Sequence, residues 1–146
     1  MRGAERQALA YSTNHGRTWI KLDTAPVIIG PPPSLDVTGF RDPYLFQSKA
    51  IDRALGLKGK LGQQWYATLS SGVHQAGARV LLYKQDRGDW LQWSYLGAAF
   101  APAPNSTFGE FAFTGNDGGE SSLISTLTPS RLLDELILLW FLLSQL

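Results

Sequence analysis

The residues best suited to chemistry sit in one stretch, Asp36-Val37-Thr38-Gly39-Phe40-Arg41-Asp42-Pro43-Tyr44-Leu45-Phe46. Arg41 and Asp42 are adjacent, and a guanidinium beside a carboxylate favours the charged form of the acid. Pro43 fixes its own φ and biases Asp42 toward an extended backbone, while Gly39 permits an unusual angle. An ionised, rigidly held carboxylate suits bidentate recognition of vicinal sugar hydroxyls. The same residues equally suit a solvated Arg-Asp turn at the entry to a strand. Trp65, Trp90 and Trp93 could stack on sugar rings or pack between sheets. His15 reads as a solvated residue at a turn apex.

Other chemistries are excluded by what the chain lacks. It has 146 residues and 0 Cys, so disulfide scaffolds, thiol nucleophiles and thiolate metal sites are out. With 2 His, a zinc site built mainly on histidine is not expected. Lys+Arg at 13 against Asp+Glu at 12 leaves a net charge of +1, which carries no footprint for nucleic acid. At 44% hydrophobic and 17% charged, the chain is apolar enough to fold. Length alone allows one domain.

The elements that must position Arg41 and Asp42 read as short strands and turns, an all-β pattern. Residues 7–12 and 18–22 alternate around Asn14-His15-Gly16 and form a hairpin. Gly30-Pro31-Pro32-Pro33 is a rigid loop, and Tyr44-Leu45-Phe46-Gln47 is a short strand opening after Pro43. Lys49 to Gln63 reads as an exposed connection. Residues 64–96 are expected to form a three-stranded meander, turning at Val73–Gly77 and Asp86–Asp89, apart from the earlier unit at 7–47. A meander cannot bury both faces alone and is the unit of a sandwich or a propeller blade.

Ser12-Thr13-Asn14-His15-Gly16-Arg17-Thr18-Trp19 fits S-x-[DN]-x-G-x-T-W. Asn14 can bond turn amides, Gly16 allows the reversal, and Trp19 covers the hairpin. The segment resembles the Asp-box of sialidase-like and other β-propellers, a structural device remote from catalysis.

The order of features resembles glycoside hydrolase family 32, the β-fructofuranosidases. Residues 10–19 look like its YS-x-[DN]-x-G-x-x-W hairpin. Thr38-Gly39-Phe40-Arg41-Asp42-Pro43 looks like its Arg-Asp-Pro motif. Trp65 to Gly72, Val80-Leu81-Leu82-Tyr83 and Trp93-Ser94-Tyr95-Leu96-Gly97 resemble the strands after it. The likeness runs over roughly residues 8–115. It implies a partial five-bladed β-propeller of about two blades, a fructose-containing oligo- or polysaccharide as partner, and an extracellular setting. It also implies retaining hydrolysis through two carboxylates, with neither cofactor nor metal. Asp42 takes the place of the transition-state stabiliser, and Arg41 stands beside it in substrate binding. The nucleophile's Asp-Pro-Asn-like motif and the usual acid/base motifs do not occur in the sequence. Glu120 lies where the acid/base is expected, and Glu110 is a lesser candidate.

Two further readings remain at this point: a non-catalytic carbohydrate-binding propeller module, and a sialidase-like propeller fragment. The expected division is a partial propeller over 1–128 and a Leu-rich helical tail over 129–146. The tail, Arg131–Leu146, reads as a core or interface helix, a membrane-touching or partner-binding helix, or a segment foreign to the family. Its uncharged run is about half the ~20 residues of a membrane span. Met1 to Arg6 is not followed by the apolar run of a secretory signal, so the chain is expected to begin inside a fold. Catalysis by this chain alone is expected to fail for lack of the nucleophile, and exposed sheet edges are expected to favour self-association. Asn105-Ser106-Thr107 matches a glycosylation sequon, which agrees with an extracellular parent.

Overall fold

The computed structural model describes residues 5–22 and 26–103, together with the backbone of two short strands at 107–108 and 111–112. The elements in chain order are β1 (Ala10–Tyr11), β2 (Ile20–Lys21), β3 (Val37–Gln47), α1 (Lys49–Ala54), β4 (Trp65–Val73), β5 (Gly77–Asp86), β6 (Asp89–Phe100), β7 (Thr107–Phe108) and β8 (Phe111–Ala112). Strands β3-β4-β5-β6 form one antiparallel sheet in sequence order, β1 pairs with β2, and β7 with β8. An antiparallel meander of four strands is the unit of a propeller blade. The all-β expectation holds, with one short helix added.

Each connection follows from its residues. Arg87 and Gly88 take φ 51° and 71° between paired Asp86 and Asp89, the two left-handed residues of a type I′ turn, whose twist suits a tight hairpin. Between β4 and β5 the loop closes on Val73 and Gly77, with the Ala76 N–H donating to the Val73 carbonyl at 3.0 Å. The β1–β2 hairpin is tied as its motif predicts. The Thr18 N–H donates to Asn14 Oδ1 at 2.9 Å, the Gly16 N–H to Ser12 Oγ at 2.8 Å, and Trp19 Nε1 to the Gly16 carbonyl at 3.1 Å.

Register assigns the faces. Phe40, Ala67, Leu69, Leu81 and Tyr83 share one face and pack with Ile28, flanked by Val27, Leu35, Trp93 and Tyr95. Phe40, Leu69 and Leu81 are fully buried, each contributing roughly 1.5–3 kcal/mol of transfer free energy. The opposite face carries an aromatic row, Tyr44 stacked on Phe46 at 6.1 Å and Phe46 against Tyr66 at 5.7 Å.

Three expectations are corrected. The first is the unit boundary: the strand expected to open after Pro43 begins at Val37 and is the first strand of the same sheet as β4–β6. The meander therefore has four strands, and the division placed after residue 47 cuts through a continuous sheet. Gly39 and Pro43 look like breakers, but Pro43 sits in an irregularity where no ladder bond is needed.

The second correction lies at Lys49–Gln63, expected as an exposed connection. It opens with α1, capped by Ser48 Oγ, which accepts from the Ile51 N–H at 3.3 Å. Asp52 in this helix is 2% exposed. A buried carboxylate needs donors, and it has two: the Tyr66 hydroxyl on Oδ1 at 2.6 Å and the Gly62 N–H on Oδ2 at 2.5 Å. The third correction concerns the backbone of Asp42 and is taken up below. The Leu-rich tail, Glu110, Glu120 and Asn105 lie outside the residues whose structure is described.

Candidate functional site

The Arg-Asp-Pro motif occupies an irregularity inside β3. Arg41 pairs with Ser70 and Tyr44 with Thr68, so β3 advances three residues where β4 advances two. The extra residue makes a β-bulge, a device that re-aims a side chain near active sites. Asp42 takes φ 53° at this point. The extended backbone expected from the following proline is therefore overturned: the bulge forces a left-handed conformation. Asp tolerates that region better than most residues. Both Asp42 and Pro43 are exposed, while Phe40 two residues earlier is fully buried. The motif is thus anchored by a core side chain on one side and presented to solvent on the other.

Two side chains from the N-terminal segment hold the bulge's leading edge. Glu5 Oε1 accepts from Arg41 Nη2 at 3.1 Å, and Gln7 Nε2 donates to the Phe40 carbonyl at 3.0 Å. The segment is fixed to the sheet through Gln7 and Ile28, whose backbones exchange hydrogen bonds of 3.0 and 3.3 Å. Behind the motif, Ser71 Oγ donates to the Gly39 carbonyl at 2.8 Å. Polar contacts therefore fix the strand at Gly39, Phe40 and Arg41, immediately before Asp42.

The tryptophans do not join this group. Trp65 pairs with Gln47 at the far end of β3, five residues from Ser70, or roughly 17 Å along the strand. Trp65 and Trp90 lie 5.4 Å apart at 49°, and Trp90 and Trp93 lie 6.1 Å apart at 56°, so the three present no common flat platform. Trp93 packs on the core. His15 is exposed at the hairpin apex with φ 57°, as expected for a solvated turn residue.

Burial raises the titration of three tyrosine hydroxyls above the usual range. For Tyr66 the nearby Asp52 carboxylate adds to the effect, and for Tyr83 the neighbouring Tyr95 does; at Tyr95 burial outweighs the opposing pull of Arg79. Among the described residues no group of His, Asp and Glu could hold a metal ion, and no helix is long and apolar enough to cross a membrane.

Glu5, Gln7 and Asp52 were not singled out from sequence. Glu5 lies 36 residues from Arg41 and Gln7 lies 33 from Phe40, distances at which no local pattern signals contact. Asp52 carried one available signal, its place four residues after the capping Ser48.

Comparison with known proteins agrees with this geometry. The model of the glycosyl hydrolases family 32 N-terminal domain matches residues 1–111. The β-fructofuranosidase of Aspergillus kawachii, solved with glycerol, superposes with a TM-score of 0.68 at 43% identity over 75% of this chain and 18% of that one. A fructosyltransferase from A. japonicus gives a TM-score of 0.66 at 36% identity, over 73% of this chain and 20% of that one. A second A. japonicus structure, of CB05, gives 0.67 at 35% identity over 75% and 20%. This chain therefore spans about a fifth of the length of the solved structures it matches. No curated protein matches it. The family match covers more than half of the chain, so the chain belongs to the glycosyl hydrolases family 32.

Proposed function

We propose that these residues form the part of a β-fructofuranosidase-like glycosidase that grips the fructosyl unit of sucrose or a fructan. Asp42 holds vicinal hydroxyls of that unit as oxocarbenium character develops, and Arg41 binds beside it. The observation that carries this reading is the backbone of Asp42: an exposed carboxylate on a bulge, held at φ 53° against the extended bias of the proline that follows. Backbone held in sparsely populated regions concentrates at functional sites. A carboxylate that need only be solvated has no use for such a conformation.

In this reading Glu120 supplies the acid/base, and the nucleophile comes from residues outside these 146, since no Asp-Pro-Asn occurs among them. Retaining hydrolysis forms a covalent glycosyl-enzyme, so this chain alone binds sugar without turning it over. The proposed division is a propeller portion over 1–128 and a tail over 129–146, in a protein that works outside the cell. Activity assays on sucrose, inulin and levan, together with calorimetric titration of fructose oligomers, test the proposal. We expect no turnover and measurable binding that Asp42→Ala weakens. Robust turnover by this chain overturns the inactivity, and titrations without binding overturn the gripping role.

A further inference from the structure

Arg41 needs help to serve a sugar. Its side chain is long, with about 2 kcal/mol of rotamer entropy to lose on being aimed. It is also 39% exposed, so packing alone does not fix it. One constraint on it arrives from the N-terminal segment: Glu5 Oε1 lies 3.1 Å from Nη2, and the second carboxylate oxygen of Glu5 is buried, with no hydrogen-bond partner among the described residues. An unpaired buried oxygen is a cost, so what keeps the Glu5 carboxylate in this orientation is its charge-assisted bond to the guanidinium. Gln7, two residues on, grips the Phe40 carbonyl, and its backbone is bonded to Ile28. Glu5 therefore lies two residues from a residue fastened by both its side chain and its backbone. The bond also compensates the Arg41 charge, so a neutral sugar is not asked to desolvate an isolated cation.

We propose that Glu5 is a positioning residue that aims the Arg41 guanidinium at the fructosyl unit held by Asp42. This rests on the reading of Asp42 given above. Glu5 touches no sugar itself; it acts through Arg41.

Calorimetric titration of fructose oligomers into the full chain tests this, with melting temperature recorded for every variant. Glu5→Gln keeps the shape and removes the charge, and is expected to weaken binding about fivefold, as for a partly exposed charge-assisted hydrogen bond. Glu5→Asp, one methylene short, is expected to lose part of that. In an Arg41→Ala background Glu5→Gln should have no further effect on the binding constant, which a merely structural role would not produce. Unchanged binding in both Glu5 variants overturns the proposal, as does an undiminished effect without Arg41. Were Glu5→Gln to prevent folding, Glu5→Asp alone decides: intermediate binding supports the proposal and wild-type binding overturns it. Asp42→Ala separates the two ideas. If it leaves binding unchanged, the reading of Asp42 falls and takes this one with it. If it weakens binding while the Glu5 variants do not, the positioning role falls alone.

Discussion

Replacing Asp42 by glycine and by alanine should separate the site's function from its cost to the fold. At φ 53° a β-carbon is crowded by the following carbonyl, which costs roughly 1–2 kcal/mol, and glycine escapes this. Glycine also loses more freedom on folding, roughly 0.5–1 kcal/mol relative to alanine. The difference leaves Asp42→Gly about 0.5–1 kcal/mol more stable than Asp42→Ala by these two opposing terms. At about 2–4 °C per kcal/mol for a chain of this size, the melting temperatures should differ by roughly 1–4 °C. Aspartate should fall between them, since its short polar side chain tolerates the left-handed region better than alanine does. Both variants should lose affinity for fructose oligomers alike, because both lack the carboxylate. Thermal melts by circular dichroism beside titration calorimetry give the two numbers. A glycine variant that melts at or below the alanine variant would refute the argument, for it would mean Asp42 is not held left-handed. A glycine variant that binds like wild type would refute the role of the carboxylate.

Three further outcomes follow from the buried polar groups and the sheet edges. Tyr66→Phe should cost about 1.5–3 kcal/mol in denaturant unfolding, since it leaves the Asp52 carboxylate, 2% exposed, with only its Gly62 bond; no loss would mean water replaces the hydroxyl. Stability should decline as pH rises above about 10, the ordinary tyrosine value. Tyr66 and Tyr83 titrate higher in the folded state, so unfolding releases their protons there, and their contribution is fully present below that pH and fades above it; urea midpoints across that range test the sign. Because β3 and β6 are the edges of the four-stranded sheet, the isolated chain should self-associate, visible as concentration-dependent sedimentation, whereas a monodisperse monomer would show the edges to be protected.

What could be read beforehand was whatever is local. The centres of β4, β5 and β6 were visible from their runs of apolar and aromatic residues and because Asp86-Arg87-Gly88-Asp89 is a recognisable turn, whereas the meander was read only to residue 96 and β6 runs on to Phe100. The Ser12–Trp19 hairpin was visible because every bond in it spans four residues or fewer. The extent of β3 was hidden by Gly39 and Pro43, which normally end strands and here mark irregular register. Helix α1 was hidden by its six residues and by the glycines that follow at 56, 59 and 62, all with positive φ. The partners of Arg41 and Asp52 were hidden for another reason. They join distant segments, and pairings of that kind exist only once the sheet is formed.

The bulge at Asp42-Pro43 has a consequence for how freely this motif can be edited. Strand residues alternate between faces with a period of two, so an added residue reverses the phase of everything after it. Tyr44 and Phe46 reach the face of Tyr66 only because of that reversal. Straightening the strand at Asp42-Pro43 with every residue kept would send Leu45 and Gln47 to that face and turn the aromatic row toward the other side, whereas deleting one residue along with the bulge would leave both faces as they are. A chain could lose the carboxylate by substitution and keep its sheet. At constant length it could not lose the bulge and keep the same faces, so the irregularity can outlast the chemistry it serves.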